Sequence, residues 1–65
     1  MTREDFEALM GKNVRVEADF VGMTGVLVEI RDREGGLPGE VWAIFESGYS
    51  ILNTAPGLTM EEIDG

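Results

Sequence analysis

Carboxylates are the only residues abundant enough here to suggest chemistry. The 65 residues include 13 Asp and Glu against 5 Lys and Arg, a net charge of −8. Paired carboxylates can run acid–base hydrolysis, and clustered ones can hold a hard cation. The spacing favours neither. The acids are scattered, so pairs arise by chance, and Glu61, Glu62 and Asp64 lack the loop spacing of a calcium site. With no His and no Cys, the commonest acid–base group, the strongest nucleophile and the usual zinc ligands are all missing. Tyr49 and Ser50 have no base beside them to activate a hydroxyl. Gly35, Gly36 and Gly39 could suggest a phosphate loop, yet no Lys follows and no helix starts there. The expectation is a non-enzymatic protein with no catalytic residue, no metal site and no cofactor.

The charge points to partners of the opposite sign. An excess of acid repels phosphate backbones and anionic membranes at long range and favours a protein with a basic surface. It also keeps a small domain soluble without any partner. One domain is expected over residues 1–65. A chain this short has a modest core and, without Cys, no disulfide to reinforce it, so weak self-association or a partner could help. The first ten residues, MTREDFEALM, are charged and do not read as a signal peptide. No stretch approaches the roughly 20 apolar residues of a membrane span. A cytoplasmic location is the expectation.

The elements that must position any site follow from periodicity. Residues 2–10 read as a helix, with Thr2 as N-cap, Asp5 completing a capping box, and Phe6, Leu9 and Met10 on one stripe. Gly11 follows as its stop. Alternation predicts strands at about residues 14–18, 24–31, 40–46, 49–53 and 59–63. Residues 19–23 read as a connection, and Gly22 and Gly25 as positions that need positive φ or close backbone approach. Residues 32–39, DREGGLPG, form a long, mobile hairpin loop, and Ser47-Gly48 a tight turn. Residues 55–58 read as a single 3₁₀ turn, the last strand closes a small β-barrel, and Asp64 and Gly65 fray.

Within this pattern, Val14-x-Val16 followed by Gly22-x-x-Gly25-x-Leu27-x-x-Ile30 resembles the KOW motif and its SH3-like barrel relatives. Val41-x-Ala43-x-Phe45-Glu46-x-Gly48 fits the same family's alternating strand and acidic-glycine turn. The resemblance runs from about Gly11 to Ile51. It implies a mainly β fold, a small five-stranded SH3-like barrel, to which the residues before Gly11 add the short N-terminal α-helix. In function it implies either a KOW-type RNA or ribonucleoprotein-binding module or an accessory subunit of a larger complex. The RNA reading expects Lys12 and Arg15 together on one exposed loop end. The sequence departs from the family at Glu17-Ala18-Asp19-Phe20, where RNA-binding KOW domains carry basic or aromatic residues near the first loop. The two carboxylates argue against nucleic acid.

Centring the second hairpin on Gly35-Gly36 pairs Ile30 with Val41, Val28 with Ala43 and Val26 with Phe45 on a buried face. The other face then pairs Arg31 with Glu40, Glu29 with Trp42 and Leu27 with Ile44. Leu27, Trp42 and Ile44 need a cover. The N-terminal helix is one candidate. The other is a partner, with Trp42 as anchor and Glu29, Glu40 and Glu46 as an acidic rim. The resulting expectation is an acidic regulator that binds another protein's basic surface. In its sharpest form the chain is a DNA mimic occupying the phosphate-binding surface of a nucleic-acid-binding protein.

Overall fold

The computed structural model describes residues 1–63. The fraying expected at Asp64 and Gly65 lies outside the described residues, as does Asp64 of the acidic triplet.

A helix, α1, spans Arg3–Glu7. Its start is the expected capping box. Asp5 N donates to Thr2 Oγ1 at 3.2 Å, and Thr2 N donates to the Asp5 carboxylate at 2.8 Å. It ends earlier than the apolar stripe predicts. Leu9 N and Met10 N bond three residues back, to Phe6 O and Glu7 O, which tightens the last turn. Gly11, at φ 76°, then turns the chain so that its N–H reaches Leu27 O at 2.7 Å. Phe6 is fully buried and Leu9 packs on the core, but Met10 stays 40% exposed.

Five strands follow: β1 (Asn13–Ala18), β2 (Val21–Asp32), β3 (Val41–Phe45), β4 (Ser50–Leu52) and β5 (Thr59–Glu62). They form one antiparallel sheet in the order β4-β3-β2-β1-β5. The mainly β class with one short helix is as expected. The sheet is not closed, however: β5 adds to the free side of β1, and among the described residues no ladder joins it to β4. The inward residues of β1 to β4 and Phe6 make a single core of Val14, Val16, Leu27, Val41, Ala43, Phe45 and Ile51 around the helix. Met60 of β5 packs against its edge.

β2 is longer than predicted because its first half continues straight out of a two-residue turn at Asp19-Phe20. Gly22 and Met23 pair with Glu17 and Val16 instead of forming a loop. Neither Gly22 nor Gly25 has positive φ. Gly25 instead lies under Phe45, whose Cδ1 would meet an added Cβ at 3.5 Å, whereas Gly22 faces open space. Residues 55–58 are not 3₁₀. Leu58 N bonds Ala55 O at 3.2 Å across a turn with Pro56 second and Gly57 third at φ 72°, the signature of a type II turn.

The largest correction concerns the β2–β3 register. The observed pairs are Leu27 with Phe45, then Glu29 with Ile44, Ile30 with Ala43, Arg31 with Trp42 and Asp32 with Val41. Two features displace the expected pairing. The loop closes at Arg33 and Glu40, whose backbones bond at 3.1 Å and whose side chains pair at 3.0 Å. A bulge between Leu27 and Glu29 leaves Val28 as an extra residue and reverses the in–out alternation. Leu27 and Ile30 therefore both face inward, while Val28 is 47% exposed.

Candidate functional site

The outer face of β2, β3 and β4 is where the predicted contact residues can be tested. Trp42 and Ile44 alternate with the buried Val41, Ala43 and Phe45, so they point away from the core. Trp42 lies between Arg31 and Leu52, and Ile44 between Glu29 and Ser50. Both are half-buried. The helix does not cover them, because α1 sends Phe6 into the core on the opposite side of β3. An open cavity of about 510 Å³ remains, lined by Arg31, Asp32, Glu34, Trp42, Ile44 and Ser50.

The six predicted site residues do not all gather there. Leu27 is a correction: it is completely buried across from Phe45, because the bulge turns it inward. Glu29 is on the outer face, where Arg31 bonds its Oε2 through Nε at 2.9 Å and Nη2 at 2.7 Å. Glu40 is also a correction, since its side chain folds into the β2–β3 loop and is only 10% exposed. Its Oε1 accepts from Leu37 N at 2.7 Å, and its Oε2 from Arg33 at 3.0 Å and from Thr54 Oγ1 at 3.1 Å. The Leu37 N–H is the main force holding the Glu40 carboxyl below the usual range; Thr54 and Arg33 add to it, against some desolvation. Glu40 fastens a loop instead of forming a rim. Glu46 is exposed in the turn after β3, and its N–H bonds Val26 O at 2.9 Å.

The sequence reading missed Arg31, Ser50 and Leu52 as neighbours of Trp42. The signal for the last two was available: they flank the buried Ile51 and must share the face opposite to it. The expected register puts Arg31 on this face but opposite Glu40; the loop closure at Arg33 and Glu40 sets it opposite Trp42.

Charge is distributed in an unexpected way. Each of the five basic side chains lies within 4.0 Å of a carboxylate: Arg3 with Glu7 and Asp32, Lys12 with Glu62, Arg15 with Glu61, Arg31 with Glu29, and Arg33 with Glu40. Lys12 and Arg15 do not form a free basic loop end; both are spent on neighbouring acids of β5. Such exposed pairs contribute at most about 1 kcal/mol each. Their main effect is on what the surface presents. Among the described residues Glu4, Glu17, Asp19, Glu34 and Glu46 have no basic partner, and Asp5 serves only the helix cap. No group of three or more His, Cys, Asp or Glu among the described residues is arranged to hold a metal ion.

No family model, curated protein or solved structure matches the chain. No helix among the described residues is long and apolar enough to cross a membrane. The site must therefore be read from its own geometry.

Proposed function

We propose that the chain is a non-enzymatic, cytoplasmic, acidic protein-binding module that contacts a partner's basic surface through the outer face of β2–β4. Trp42 is the anchor, Ile44 widens the apolar floor, and Glu34 supplies an unpaired carboxylate at the cavity wall. The observation that carries this reading is the pairing of every Lys and Arg with a carboxylate. A phosphate backbone would meet no Lys or Arg without a carboxylate beside it, whereas a basic protein would meet an acidic chain with Glu34 unpaired beside a half-buried Trp. The strand order and the long, bulged β2 shared by β1 and β3 support an SH3-like barrel left open between β4 and β5. That leaves the KOW likeness as a matter of fold.

The test begins with a partner captured from source cells after nuclease treatment and then purified. Trp42→Ala should weaken its affinity by about 2 kcal/mol, roughly 30-fold. Glu34→Lys should slow association and reduce the salt dependence. Unchanged affinity in both variants would sink the proposal. The regulator form predicts one thing more, that duplex DNA competes for the same partner surface.

A further inference from the structure

Phe20 is 90% exposed, while Phe6 and Phe45 are buried to 1% or less. It is the second residue of the two-residue turn between β1 and β2, whose last pair is Ala18 with Val21. Nothing in the turn calls for a Phe. Turn positions are filled at least cost by small polar residues, and leaving a Phe in water forgoes about 1.5–3 kcal/mol that burial would return. The tip is also held still from below. Asp19 N donates to Pro56 O at 3.0 Å, and the Asp19 carboxylate lies against Gly57 so closely that a Cβ there would collide with it. The ring is thus presented on a pinned turn, so little ordering is lost when it docks. The carboxylates of Glu17 and Asp19 flank it without basic partners. A second open cavity of about 450 Å³ lies on the strands next to the turn, lined by Arg15, Glu17, Val21, Met23 and Thr24 among others; Phe20 is not part of its lining.

We infer that Phe20 is the plug of a second contact site, which inserts into an apolar pocket rimmed by Lys or Arg on a partner protein. Charge selects this occupant. A second copy of the chain brings another −8, and an anionic lipid surface is repelled in the same way. The site is separate from the Trp42 face. Val21 begins β2 and Arg31 lies opposite Trp42, ten positions further along, a path on the order of 30 Å.

The experiment places p-benzoylphenylalanine at position 20 of the full chain and irradiates it in source-cell lysate. The cross-linked protein is then purified and titrated against unmodified chain. The proposal expects an adduct at an apolar pocket bordered by basic residues. It also expects affinity at least 10-fold weaker for Phe20→Ala and at least 3-fold weaker for Glu17→Lys, with the amide spectra of both variants showing an intact fold. No adduct, an adduct with a second copy or with lipid, or an affinity indifferent to Phe20→Ala each overturns it. Loss with Trp42→Ala alone would overturn the Phe20 site while supporting the face on β2–β4.

Discussion

Asn53 does more for this fold than its place at the end of β4 suggests. It is 7% exposed, and both the oxygen and the two N–H groups of its side-chain amide are bonded. Oδ1 accepts from Val41 N at 3.0 Å, while Nδ2 donates to Met1 O at 3.0 Å and Gly39 O at 3.1 Å. One side chain thus ties the segment before α1 and the end of the β2–β3 loop to the start of β3. Asn53→Ala strands those three backbone groups and should cost about 2–3 kcal/mol, read as a melting temperature lower by roughly 10 °C or more. Asn53→Asp should lose most of the same stability at neutral pH, because a carboxylate cannot donate to the two carbonyls. Glu40 is the charged counterpart. Its carboxyl is held below its ordinary value of 4.5, so its contribution is present above that value and lost as pH falls through the lower, folded value. The melting-temperature gap between the native chain and Glu40→Gln should therefore close as pH is lowered through that window. A gap that persists in acid would refute the role. Neither residue's part was legible in the sequence, since both depend on carbonyls and amides brought in by turns the pattern does not specify.

Every strand could be found from alternation, and so could the capped helix start. What alternation could not supply was the phase of β2 across its middle. Val26, Leu27 and Val28 form an unbroken apolar run that fits either parity, and only the bulge chooses between them. The choice is measurable. Leu27→Ala should destabilise by about 2–5 kcal/mol in urea denaturation, as expected for a fully buried side chain. Val28→Ala should change stability by less than about 0.5 kcal/mol. Reversed magnitudes would restore the simple alternation. The same bulge bears on the candidate site, because it removes Leu27 from the outer face, while the loop closure at Arg33 and Glu40 sets Arg31 opposite Trp42. Trp42 and Ile44 were placed correctly because β3 alternates without interruption.

For the molecule as a whole, charge excess and a small core pull against each other. Eight surplus carboxylates repel one another, and a cluster of eight buried apolar side chains must hold the chain together. The surplus has a use that the open sheet makes plain. Among the described residues β4 and β5 each leave one side unpaired, and an unpaired strand is a template on which another copy can grow. On β5, Glu61 and Glu62 are paired with Arg15 and Lys12, so protection there comes from the net charge of the whole chain; on β4 the three-residue length leaves little to copy. At neutral pH, like charge should keep such margins apart. Near the isoelectric point of about 4.1 that protection vanishes, and margin-to-margin stacking into fibrils becomes the hazard, visible as thioflavin fluorescence rising most steeply at that pH. The acidity that the proposed function assigns to selecting a basic partner would then also be what keeps the chain from polymerising with itself.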